Sequence, residues 1–278
     1  MLRLLQIEFQ KLWQNRLSKI LIIGYFVLLT SIALIAAIKF DIGPIKFHLA
    51  EQGIFNFPYI WHFNTFIASF FKLFLAIIIV SMVANEYSNK TIKQNLIDGL
   101  SKKEFISSKF ITVLLFSAVS TIFVFVTSLI LGLIYSNYTE VSIIFSELEY
   151  VLAYLTKHIG FFSFCLFIGI LIKRSAFALG FLIIWNVIEW ISYGILFWVF
   201  GRKSSTPDAI AQFFPFRSMS NLIDEPFSRL SAVKAVANQV GEQFNFDYTV
   251  HWYELSIVVI WTVLFIWWSY VLLKKRDL

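Results

Sequence analysis

Long, continuously apolar stretches alternate with short polar ones along most of the chain. Six of them, at about 20–38, 63–84, 110–135, 151–172, 176–200 and 253–273, each supply the roughly 20 apolar residues that a helix needs to cross about 30 Å of hydrocarbon. Membrane strands would instead be short and would alternate apolar with polar positions. The pattern therefore predicts an all-α membrane protein, with 1–278 forming a single transmembrane domain.

Two polar-flanked segments show helical periodicity outside these runs. In residues 1–17, Leu2, Leu5, Phe9, Leu12 and Trp13 share one face, while Arg3, Gln6, Gln10, Lys11 and Gln14 fall on or toward the other, which is the pattern of a helix lying in the membrane interface. The segment 201–252 is too long for a turn and carries Pro207, Pro215 and Pro226. Beyond Pro226, Leu230, Val233, Val236, Val240 and Phe244 share a face opposite Lys234, Asn238 and Glu242, so an amphipathic or re-entrant helix is expected in the outer leaflet.

Composition agrees with this reading. The chain is 59% hydrophobic and 14% charged, against about 45–50% and 25% for a soluble domain. Its net charge of +6 forms no continuous basic patch of the kind nucleic acid requires. Of its 23 Lys and Arg, 14 fall in alternate loops and ends that hold five acidic residues; the opposite loops hold seven basic and ten acidic ones. By the positive-inside rule both termini are expected in the cytoplasm. Cys165 is alone, so no intrachain disulfide forms.

The inner loop after the second apolar run, EYSNKTIKQNLIDGLSKKEFISSK over 86–109, reads as two short helices at an angle. The first is expected from about Tyr87 to Asp98, ending at Gly99, because glycine adopts the left-handed conformation that terminates helices. Ser101 with Glu104 three residues later marks the second as a capping box. A rigid elbow of this kind is suited to receiving force from a cytosolic partner.

Glu86, Tyr87, Thr91, Lys93, Leu96, Gly99, Ser101, Lys102, Phe105 and Lys109 lie in this region. Within it, the run of Glu86, Thr91, Leu96, Gly99, Ser101, Lys102, Phe105 and Lys109 resembles the coupling-helix signature of ABC-2-type permeases, the membrane subunits of ATP-binding-cassette exporters. The chain departs from that signature with Lys90 where glycine is common and Lys102 where arginine is common. The resemblance implies a coupling region at 86–105, a second permease copy or paralogue, and two cytosolic ATPase subunits that hold the ATP and Mg2+. No phosphate-cradling GxxxxGK[ST] string occurs here, so the chain itself is expected to carry no cofactor and to hydrolyse no nucleotide.

Ionisable groups inside the apolar runs are costly and mark candidate functional positions. Lys157 and Glu254 are expected to snorkel to the outer surface. Lys72 and Glu189 lie deeper, Glu189 sharing a helical face with Asn186. A Lys72–Glu189 ion pair holding the bundle is one expectation. The other makes Lys72, Asn186 and Glu189 line a substrate path or a subunit interface. The four histidines are scattered with no metal-ligand spacing. An intramembrane enzyme would need a nucleophile with its base, or paired ligands, at one depth, and a secondary transporter tends to carry inverted repeats; neither pattern is present. An assembly that transmits force without moving cargo is compatible with the same residues.

Overall fold

The computed structural model describes residues 2–36, 39–42, 45–48, 53–201, 204–230, 233–234 and 247–276. Helices α1 (Leu2–Gln14) and α2 (Arg16–Ala36) are followed by a small antiparallel hairpin, β1 (Lys39–Ile42) and β2 (Ile45–His48). Next come α3 (Tyr59–Ser69), α4 (Lys72–Ser88), α5 (Thr91–Ile97), α6 (Lys102–Tyr135), α7 (Val141–Ile144), α8 (Glu149–Ile172) and α9 (Ser175–Phe200). The chain closes with α10 (Thr206–Ala211), α11 (Pro215–Asn221) and α12 (Trp252–Lys275). Apart from the hairpin, the described elements are helical, as the apolar runs require. Four helical stretches are long and apolar enough to cross a membrane, or up to six if each of two bent pairs is one span.

The bent pairs have identifiable causes. Between α1 and α2 the axis turns by 91° at Asn15, whose side-chain oxygen accepts from the backbone N–H groups of Leu17 (3.0 Å) and Ser18 (3.3 Å). Asn15 thus caps α2 and ends α1 in one step. Between α3 and α4 the turn is 45°, and the single apolar run expected over 63–84 is in fact broken. Phe70 and Phe71 donate to carbonyls three residues back, at Ile67 and Ala68, a tightened turn that interrupts the helical ladder. No proline or glycine marks this position, which is why hydropathy alone missed it.

Helix α8 is the hub. Gly160 brings it against α12, where an added Cβ would lie 2.7 Å from Val258 Cγ1. Polar side chains cross-link the interior, where lipid offers no competing hydrogen-bond partner. The hydroxyls of Tyr25 (α2), Ser120 (α6) and Tyr154 (α8) bond to one another, and Asn64 donates to Ser128 at 2.9 Å. By contrast α9 buries only Ala178, Leu182 and Glu189, leaving Trp190 75% and Trp198 86% exposed. The amphipathic stretch expected after Pro226 falls mostly outside the described residues.

Candidate functional site

The elbow is built by three backbone devices. Helix α4 runs on through Tyr87 to Ser88, so the first short helix is shorter than expected: it starts at Thr91, not Tyr87. The chain reverses at Lys90, which takes the left-handed conformation with φ 56° and ψ 16°, the geometry that a glycine adopts without a Cβ clash. Helix α5 ends in a Schellman motif: Leu100 N donates to Asn95 O, Gly99 N donates to Leu96 O, and Gly99 has φ 98°. Then Ser101 and Glu104 form the reciprocal capping box at the start of α6. Hydrogen bonds from Ser101 hold the Glu104 carboxyl below its ordinary value.

Two charged clamps anchor this elbow. On the α4 side, the fully buried ammonium of Lys109 donates to Glu86 and, at 2.5 Å, to Glu8 of α1. Lys11 of α1 completes the group, 3.2 Å from Glu86 and 3.5 Å from Glu8. Burial pulls the Lys11 amine down, but the carboxylates of Glu86 and Glu8 outweigh it and leave it raised. Two acids and two bases thus tie α1, α4 and α6 together, and the Lys109 ammonium also sits over the Phe105 ring at 5.2 Å. On the α6 side, Lys102 donates to the carbonyls of Lys274 (3.3 Å) and Arg276 (2.9 Å) at the end of α12, where the helix dipole favours a cation. Arg276 in turn caps α8 through the carbonyls of Ile170 and Leu171 and reaches the Tyr87 hydroxyl at 3.5 Å.

Between the clamps, α5 projects. Ile92 is buried and Leu96 packs on the core, while Lys93, Gln94, Asp98 and Gly99 are exposed and Ile97 is 74% exposed. The residues singled out in the loop therefore separate into two groups. Glu86, Tyr87, Lys102, Phe105 and Lys109 face inward and brace the elbow; Lys93 and its neighbours face outward. Thr91 opens α5 and donates to Glu86 O at 3.3 Å. Ile97 was missed in the sequence because it reads as one more apolar residue; only its exposure on a capped tip distinguishes it.

The intramembrane charges pair differently from the expectation. Glu189 does not meet Lys72. Its carboxylate accepts from the backbone N–H groups of Phe216 and Arg217, all at 3.0 Å, and from Trp185 Nε1 at 2.7 Å. It caps α11, whose Pro215 start leaves those donors free. Lys157 does not snorkel: it is 4% exposed. Lys72 and Lys157 instead share a cleft of about 410 Å³ between the α3–α4 break, α8, α9 and α11, which Asn186 also lines.

A bundle of membrane-length helices with a braced elbow at one end and a cleft at the level of the break is the architecture of an integral membrane protein. The chain belongs to the ABC-2 transporter family, whose sequence profile, described as ABC-2 family transporter protein, matches residues 4–278. Members of that family are membrane components of ABC transporters and generally work with an ABC ATPase partner. A Bacillus subtilis protein described as uncharacterized protein YhcI is 40% identical over 79 residues, a match covering 27% of this chain and 25% of that relative. The chain thus matches only about a quarter of that relative's length.

Proposed function

We propose that two copies of this chain, or this chain and a paralogue, form the membrane part of an exporter in the bacterial inner membrane, driven by two separate cytosolic ATPase subunits. In this reading α1 lies in the inner interface. Helix α2, the α3–α4 pair, α6, α8, α9 and α12 make six spans, with both termini cytoplasmic, in accord with the distribution of Lys and Arg. ATP and Mg2+ belong to the partner. The sparsely buried α9 supports its use against the second permease subunit.

The observation that carries the reading is the contrast within the elbow. Its two ends are tied to α1, α4, α8 and α12 by charged clamps, while its tip leaves Ile97, Lys93, Gln94 and Asp98 exposed among the described residues. A movement imposed on such a tip passes into the spans instead of dissipating in a loose loop. At about 1.5 Å per residue, the 34-residue α6 is longer than the hydrocarbon core is thick, so it carries that movement from the cytoplasmic side into the bilayer. The cleft holding Lys72 and Lys157 supports cargo movement over force transmission alone.

The test is co-purification with the cognate ATPase. Ile97→Asp is expected to abolish co-purification and permease-dependent ATP turnover while leaving the thermal midpoint of the isolated permease unchanged, because the side chain is exposed. Normal assembly and turnover in Ile97→Asp and Lys93→Glu variants would overturn the reading.

A further inference from the structure

The cleft beside the α3–α4 break has an unusual electrostatic composition. Lys157 is 4% exposed, yet among the described residues neither its ammonium nor that of Lys72 has a carboxylate within ion-pair distance or a hydrogen-bond acceptor. Both side chains line the same cavity. The acids nearby are otherwise placed: Glu189 is engaged by three N–H donors, and Asp224 acts on Lys157 only through its field.

Two ammonium groups thus converge on one cavity, and among the described residues no carboxylate forms an ion pair with either. Buried charges are ordinarily paired, because an unpaired one forfeits its hydration. The rest of the wall is apolar, including Phe66, Phe70, Leu73, Phe161, Leu182 and Ile183. The Lys72 ammonium rests over the Phe161 ring at 4.5 Å, so its contact in the cleft is an aromatic face. A volume of about 410 Å³ falls in the range of small-molecule sites.

We infer that this cleft binds an amphiphile with an anionic headgroup, a phosphate or carboxylate held by Lys72 and Lys157 with its tail against the Phe66–Phe70 and Leu182–Ile183 walls. This rests on the permease reading and supplies the chemical class of its cargo. Asn186, on the same wall, adds a neutral donor for a headgroup oxygen.

The test uses the full chain reconstituted in phosphatidylcholine vesicles, with spin-labelled phosphatidic acid as probe, spin-labelled diacylglycerol as its uncharged counterpart and inorganic phosphate as competitor. The immobilised fraction of phosphatidic acid is expected to exceed that of diacylglycerol. The Lys72→Met and Lys157→Met variants are each expected to weaken the anionic probe by about tenfold or more, the ratio for one lost hydrogen bond to a charged group. Arginine at either position is expected to retain it. Where a methionine variant does not fold, the corresponding Lys→Gln variant, which stays polar but loses the charge, carries the comparison.

Equal immobilisation of both lipids, or an excess unaffected by the variants, overturns the inference. Full displacement by millimolar inorganic phosphate overturns the amphiphile and leaves a soluble anion. ATPase co-purification, measured on the same preparations, separates the two readings: lost lipid selectivity with normal assembly sinks only the cargo class, whereas absent assembly sinks the permease reading whatever the lipid result.

Discussion

Lys109 donates to Glu86 across the mouth of the elbow, so the helices entering and leaving it are joined by a buried ionic contact as well as by the loop. With Glu8 and Lys11 the group is electrically balanced, which is what allows four charges to sit at a half-buried junction.

Removing one member upsets that balance. Lys109→Met leaves Glu8 and Glu86 sharing only the partly exposed Lys11 and is expected to destabilise the protein by about 3–5 kcal/mol, the usual cost of removing one partner from a buried ionic contact. The combined Lys109→Met, Glu86→Gln variant is expected to recover part of that loss. Thermal unfolding in detergent followed by tryptophan fluorescence reads both, and hydrogen exchange over residues 2–14 is expected to rise in the single variant as α1 detaches.

Lys90 is strained where a glycine is not. Lys90→Gly is expected to stabilise the elbow by about 1 kcal/mol, the approximate Cβ penalty of the left-handed region, partly offset by the greater freedom of glycine in the unfolded chain. Slower hydrogen exchange at the α5 amides would register the gain, and unchanged or faster exchange would contradict it.

The capping box gives a third expectation. Ser101→Ala is expected to cost about 1 kcal/mol at the start of α6, seen as faster exchange at the Glu104 amide. Because the Glu104 pKa is depressed in the folded protein, its contribution is present above the ordinary value of 4.5 and is lost as pH falls through the lower folded value. The difference between Ser101→Ala and the unaltered protein is therefore expected to shrink on acidification below pH 4.5.

Glu189 supplies a fourth. Glu189→Gln keeps one acceptor oxygen for three donors and is expected to lower stability by about 1–3 kcal/mol through an unsatisfied amide at the start of α11. Glu189→Ala is expected to lose more. A thermal midpoint unchanged in both would mean that α11 does not depend on this cap.

Much of the framework was legible in the sequence because hydropathy and capping are local properties. The apolar runs, the Gly99 stop and the Ser101–Glu104 box each need only a few neighbouring residues to be recognised. What escaped was set by three-dimensional neighbours. The α3–α4 break lies in an uninterrupted apolar run, and nothing local says that Glu189 caps a helix 27 residues downstream instead of pairing with Lys72. The inward turn of Glu86 and Lys109 depended on α1 arriving from a hundred residues away, so their place in a loop signature was readable and their partners were not.

The α1–α4–α6 junction also governs how this protein can be recombined with its relatives. A graft of 86–103 alone would bring a foreign Glu86 to a resident Glu8, Lys11 and Lys109, so hybrids are expected to tolerate exchange best when the whole stretch from residue 2 to residue 109 travels as one cassette.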